Sequence, residues 1–226
     1  SLTVGRLRIL QPTLEPPAGS NKLAIPLRWF VTQQGGKWVL SVTLPPGDWA
    51  GWTVDPTLTL QPGAADGLDT AIYSEYGTLN YGVSTIIAAG TVDPASYTFR
   101  SLVSFDLSSI PSNAAITSAL LMLYCQTETV TTDSIVAAHR GLTQWFEGAQ
   151  NGGAPPAGED GSTWNLRNAN GNVPWAGGAG GGSGSDYAAT PTDTQTITER
   201  QTFFTWTVTT DVVAWGAGSA SNFGWW

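Results

Sequence analysis

Arg100 to Gln126 reads RSLVSFDLSSIPSNAAITSALLMLYCQ, and it divides into three pieces. In RSLVSFDLS, Val103, Phe105 and Leu107 alternate with Ser104 and Asp106, the period of a half-buried strand. SIPSNAAI interrupts with turn residues. TSALLMLYCQ then places apolar side chains on both faces. A strand apolar on both faces belongs mid-sheet beneath a second layer, so Leu120–Cys125 is expected there, with its half-polar neighbour facing solvent once. Val103, Phe105, Leu121, Leu123 and Trp206 are the expected core.

Outward from this stretch the same signals repeat. LRWFVT and KWVLSVTLP flank Gln33–Gly36, the pattern of a hairpin with a short glycine-containing loop. TVDPTLTL, TAIYSEYG, VSTIIAAG, DSIVAAHRG and TFFTWTVT are further strand candidates at short spacing. Many short strands between Gly, Pro, Asn and Asp, with little helical periodicity, indicate an antiparallel sandwich or barrel. TTDVVAW reads as a helical turn, with Thr210 as cap, Asp211 near the positive end and Val212 and Trp215 on one face. LTQWFEG is a second candidate turn. The glycine-rich GGAGGGSGS has too little side chain to order itself.

Composition narrows the function. Of 226 residues only 12% are charged, 27 are Gly and 11 are Trp. Hydroxyls and amides must therefore carry solubility, as in many secreted, cell-surface and virion proteins. Net charge is −8 with 9 Lys and Arg in total, so no basic patch is available for nucleic acid or anionic lipid. No stretch reaches the ~18 apolar residues of a membrane span. Cys125 is the only cysteine, which excludes an intrachain disulfide, and its phase with Leu121 and Leu123 indicates an inert core thiol. The chain starts at Ser1 and stops within the apolar NFGWW. It is expected to be a piece of a longer polypeptide.

The ordered series Arg100, Phe105-Asp106-Leu107-Ser108, Ile110-Pro111, Ile116, Ser118-Ala119, Leu121, Leu123-Tyr124 resembles the DNRLRE-domain family, related to disaggregatase repeats and grouped with carbohydrate-binding modules. LDTAI, LNYG, WFE at 145–147, STW at 162–164, VPWAGG, FFTWTVTTDVVAW and SNFGWW follow in the same order. The resemblance implies an all-β fold, a jelly-roll-like antiparallel β-sandwich over 57–226 whose last strand continues past Trp226. Residues 1–56 lie outside it and form an N-terminal β-hairpin region, the tail of a preceding domain or a docking hairpin.

Candidate chemistry is sparse. His139 stands alone, without a partnering serine motif, and no catalytic residue is assigned. Glu147, Glu159, Asp160 and Asp186 are loop acids with no spacing that fixes a pair for glycoside hydrolysis, and are read as solvated charge. The resemblance implies a structural hydrogen bond for Glu147. Calcium takes six to eight oxygens in flexible loops, and Asp66, Asp69 and Asn80 are the candidate ligands. Trp145, Trp164, Trp206 and Trp215 match core positions of the family. Trp175, beside a proline in a glycine-rich loop, and Tyr187 are the candidate glycan platforms. Trp225 and Trp226 are candidate assembly contacts, because an uncovered apolar chain end is an aggregation hazard. The expected function is a non-catalytic extracellular or particle-surface module for adhesion, glycan contact or assembly. The alternative is a structural subunit or decoration domain of a virion, fibre or cell-surface layer. Its partners are a glycan or neighbouring subunits.

Overall fold

The structure is a computed structural model that describes residues 2–4, 7–9, 11–17, 19–34, 37–55, 58–60, 67–92, 97–110, 114–126 and 133–226. The chain forms two compact units, residues 1–63 and 64–226.

The first unit is built from short antiparallel strands. β1 (Leu2–Val4), β2 (Leu7–Ile9), β3 (Thr13–Glu15), β4 (Ile25–Pro26), β5 (Trp29–Gln34), β6 (Lys37–Val42), β7 (Thr53–Asp55) and β8 (Leu58–Leu60) form three sheets, ordered β1-β2-β8, β4-β3-β7 and β5-β6. Leu14 is buried where β3 pairs with Ile25 on one side and Val54 on the other. The hairpin expected around Gln33–Gly36 is present, with Gln34 opposite Lys37; Gly35 and Gly36 lie outside the described residues. The indoles of Trp49 and Trp52 meet edge-on at 5.0 Å.

The second unit is an antiparallel β-sandwich. Its strands are β9 (Gly67–Tyr73), β10 (Gly90–Val92), β11 (Tyr97–Phe105), β12 (Leu120–Cys125), β13 (Ser134–Ala138), β14 (Leu166–Asn168), β15 (Val173–Pro174), β16 (Asp193–Ile197) and β17 (Thr202–Thr207), followed by α1 (Thr209–Gly216). β11 is central between β10 and β9. β12 pairs with β17, β13 with β16 and β14 with β15.

Two cores result. Val103, Leu121, Ala138, Ile197, Trp206, Val208, Val212, Trp215 and Trp225 form one, with Phe105 and Leu123 at its margin. Ile72, Leu102, Trp145 and Trp175 form the other, with Trp164 and Trp226 against it. The inward phase of both strands in the opening stretch is as expected, but their covering is reversed. β11 is the strand buried on both faces, because its half-polar side still offers Leu102 to a cap of loops carrying Trp145 and Trp175. β12 is the strand with a bare face: Leu120, Met122 and Tyr124 are all more than half exposed. The two strands also sit in different sheets, since β12 takes β17 as its partner.

α1 forms as expected, though its N-cap is Val208 with no side-chain cap bond. Asp211 is buried and serves tertiary structure instead. Its Oδ2 accepts from the Thr192 hydroxyl at 2.6 Å and the Trp225 indole at 2.8 Å, and Arg140 approaches its other oxygen at 3.8 Å. LTQWFEG is not helical, and neither is VSTIIAAG a strand before Gly90.

The chain end is covered by the chain itself. Trp225 exchanges backbone hydrogen bonds with Val103 at 2.8 and 2.9 Å, and Trp226 does so with His139 at 2.9 and 3.0 Å. NFGWW is thus a strand-like insert between β11 and the end of β13, and Trp225 is a core residue.

Candidate functional site

Gln144–Ala149 is irregular, neither helix nor strand, and Trp145 is its one buried residue. Trp145 points inward, buried, with its indole donating to the Phe223 carbonyl at 2.8 Å. Phe146 and Glu147 are half-buried beside it. Ser162 clamps this segment: its N–H donates to the Phe146 carbonyl at 2.8 Å, and the Phe146 N–H donates to its hydroxyl at 2.9 Å. An open groove of about 440 Å³ lies along the segment, lined by Leu68, Gln144, Phe146, Glu147, Glu159 and Asp160.

Asn80 holds the groove wall from behind. It is fully buried, and its amide donates to the carbonyls of Glu147 at 2.6 Å and Ser162 at 2.9 Å. Its Oδ1 accepts from the N–H groups of Gly82 and Gln150, each at 3.1 Å. The glycines around it are required: a Cβ on Gly82 would strike the Glu147 carbonyl, and one on Gly148, at φ +81°, would strike the Asn80 side chain. Both ends of Asn80 are therefore engaged by protein, so it is an organiser of backbone and not an open ligand.

The acids of the groove differ in freedom. Glu147 Oε1 accepts from the Asp69 N–H at 3.0 Å, the structural bond expected for it. Burial raises the Glu147 carboxyl above its ordinary range and the nearby Asp69 charge adds to this, against the lowering effect of that hydrogen bond. Burial likewise raises Asp69. Asp160 is tied to the amides of Asn168 at 2.7 Å and Asn170 at 3.1 Å. Glu159 is exposed, with the Gln150 amide at 3.4 Å from its carboxylate. Glu147, Glu159 and Gln144 bring acceptor side chains to a lining shared with the apolar Leu68 and Phe146. Such an arrangement accepts hydroxyl donors and repels anions.

The structure relocates most of the other candidates. Trp175 is 2% exposed, with its indole donating to the Thr163 carbonyl at 3.0 Å and Trp226 edge-on at 4.7 Å. Its ring faces are inside the second core, so it offers no sugar platform. Tyr187 is half-buried, with the Arg100 guanidinium at 5.3 Å, His139 at 5.3 Å and Trp226 at 5.2 Å around its ring. Trp226 is half-buried against Trp175 and Tyr187, so its surface is used within the chain, as is that of Trp225. His139 receives its partners from the Ala188 carbonyl, 2.7 Å from Nδ1, and the Tyr187 ring. Of the calcium candidates, Asp66 lies outside the described residues, Asp69 sits by Glu147 and Asn80 is engaged. No group of three or more His, Cys, Asp or Glu side chains able to hold a metal occurs among the described residues.

Asp186 is not solvated charge. It is fully buried and accepts from the N–H groups of Ala176, Gly177 and Gly182 at 3.0, 2.8 and 2.8 Å. Arg100 adds bonds to the carbonyls of Gly180 and Gly181 and lies 5.4 Å from the Trp164 ring. GGAGGGSGS is thereby ordered by a buried carboxylate and a guanidinium, which substitute for side chains it lacks. Glycine is needed at 180 and 181, where φ is +81° and +80° and an added Cβ would meet Trp164 and Trp226.

Leu68, Gln144 and Phe146 were missed as site residues. The local signal was adjacency: with Trp145 in the core, its neighbours Gln144 and Phe146 line the groove beside it.

An antiparallel β-sandwich with an open, hydroxyl-accepting groove on one side is the form of a binding module. The chain belongs to carbohydrate-binding module family 96, whose model matches residues 63–175, half of the sequence. This match bears out the carbohydrate-binding-module part of the resemblance read from the sequence. No curated protein and no solved structure matches the chain.

Proposed function

We propose that this chain is a non-catalytic module that holds a neutral glycan in the groove along Gln144–Ala149. The observation that carries the proposal is one of position. All nine lining residues, Leu68, the six of Gln144–Ala149, Glu159 and Asp160, fall within the 63–175 stretch matched by the carbohydrate-binding family. Carboxylate and amide oxygens there accept sugar hydroxyls, while Leu68 and Phe146 meet the apolar C–H faces of the rings. The glycan is neutral because the groove carries three carboxylates in a chain of net charge −8, and a uronate or sulfated chain would be repelled.

The low charge and hydroxyl-rich surface suit a module displayed outside the cell or on a particle. No helix among the described residues is long and apolar enough to cross a membrane. The series from Arg100 to Tyr124 keeps kinship with DNRLRE-domain proteins as a proposal, and calcium near Asp66 and Asp69 stands on the same footing.

Gel retardation in the presence of soluble polysaccharides tests this. The chain should be slowed by at least one neutral polymer, such as a glucan, xylan or galactan, and not by polyuronates or sulfated galactans. Retardation by anionic polymers alone would overturn the ligand class, and retardation by none would overturn the function.

A further inference from the structure

The outer face of the β12–β17 ribbon is apolar and bare. Leu120 is 57% exposed, Met122 55%, Tyr124 51% and Phe203 60%. In the ribbon's register Leu120 sits opposite Thr207, Met122 opposite Thr205 and Tyr124 opposite Phe203. The Tyr124 and Phe203 rings meet edge-on at 5.0 Å. Neither Ser118–Gln126 nor Gln201–Thr210 contains an Asp, Glu, Lys or Arg. Soluble domains rarely leave such a patch in water, and its tyrosine, methionine and phenylalanine are the side chains enriched in interface cores.

We propose that this face is the contact between two copies of the chain, packed ribbon to ribbon about a two-fold axis that passes near Met122. Three considerations select a second copy over other occupants. A two-fold axis sets the same neutral strip against itself, so the side chains one copy lacks to cover its face are the ones the other supplies. Two chains of net charge −8 repel over most of their surfaces, and this strip is charge-free, so approach is least opposed here. The Asp193 carboxylate at its edge is already held by the N–H groups of Thr207 at 2.6 Å and Thr194 at 2.7 Å, so it offers a basic partner little to pair with. The four large side chains bury roughly 400–500 Å² per copy, giving about 800–1,000 Å² in total before the threonine and glutamine rim. That is the low end of specific interfaces, the size of a weak, reversible contact. Its consequence is bivalency: two grooves on one particle raise avidity for a polymeric ligand without new contacts. The dimer itself does not depend on the groove's ligand.

Sedimentation velocity over the micromolar range tests it, with Met122→Lys and Met122→Glu chains. Position 122 is exposed, so neither substitution touches the core, and circular dichroism and melting should match the parent. The expected result is that the parent passes from monomer to dimer as concentration rises. Each variant alone should remain monomeric, and an equimolar mixture of the two should dimerise again, because a two-fold axis brings Lys and Glu together. A parent that stays monomeric overturns the proposal. So do variants that dimerise unaided, which would place the contact elsewhere, or a mixture that stays monomeric, which would exclude the axis. A monomeric parent whose Met122 resists peroxide would assign the face to residues 1–63 of the same chain. A monomer whose Tyr124 and Phe203 resonances move with added oligosaccharide would assign it to glycan. Each of these would equally overturn the dimer.

Discussion

Leu102 and Val103 are adjacent on β11, and each ends in a different hydrophobic core. Leu102, fully buried, packs with Ile72, Trp145 and Trp175, while Val103 packs with Leu121, Trp206 and Trp225. One strand therefore joins the sandwich interior to the loop cap that carries the groove.

Truncation on either side of this strand should be costly. Leu102→Ala and Leu121→Ala should each lose about 2–5 kcal/mol in urea denaturation, the usual range for a buried leucine. Leu102→Ala should also loosen the groove segment, seen as faster amide exchange at residues 144–149. Leu121→Ala should leave that exchange unchanged relative to the global loss.

Gly224 lets the chain end enter the sheet. It holds φ +70°, and a Cβ there would collide with the Val103 carbonyl. Gly224→Ala should lower the melting temperature by more than Trp226→Ala does, because it displaces Trp225 from the core while the half-buried Trp226 remains at the margin. Equal melting of the parent and Gly224→Ala would contradict the inserted-strand geometry.

Asp186 is the nucleus of the glycine-rich loop. Replacing it with Ala leaves the N–H groups of Ala176, Gly177 and Gly182 unpaired, and a buried donor without a partner costs about 1–3 kcal/mol. Amide exchange at these three positions should accelerate well beyond that at β12 and β17. Uniform acceleration across the domain would mean that the loop has no separate order to lose.

The pH dependence of Glu147 has a defined sign. Its carboxyl is raised above the ordinary 4.5, chiefly by burial. The fold therefore prefers the neutral form, and this contribution is present below the ordinary value and lost as pH rises through the raised one. Glu147→Gln keeps an acceptor for the Asp69 N–H and removes the charge. Its stability relative to the parent should rise as pH passes upward through that window, then level off. A difference that is flat, or that falls with pH, would contradict the assignment.

The sandwich was legible because alternation in SLVSF, ALLMLYC and FFTWT follows directly from a pleated backbone with one face inside. Val103, Leu121 and Trp206 are buried as that phase requires. Alternation does not say what lies above the outer face, so the coverings of β11 and β12 came out reversed. β16 escaped notice because DTQTI shows hydroxyl and amide side chains, with only Ile197 fully buried in it. Trp175 looked exposed because its neighbours are Pro174 and glycines. A local composition of that kind cannot reveal that Asp186 and Arg100 fold the loop back over the ring. The groove was half legible: Glu147 stood in a recognisable element, while Leu68 and Glu159 reach it only through tertiary contacts.

The most direct measurement of glycan binding at this groove is a two-dimensional NMR titration of the chain with a retarded neutral oligosaccharide, repeated on the Gln144→Ala, Glu159→Ala double variant. Both side chains are exposed, so the fold should be unaffected. The expected result is that shifts concentrate at Leu68 and residues 144–149 and 159–160, and that the double variant binds at least about tenfold more weakly, roughly 1.4 kcal/mol. Shifts centred elsewhere on the domain, or a double variant that binds like the parent, would contradict it.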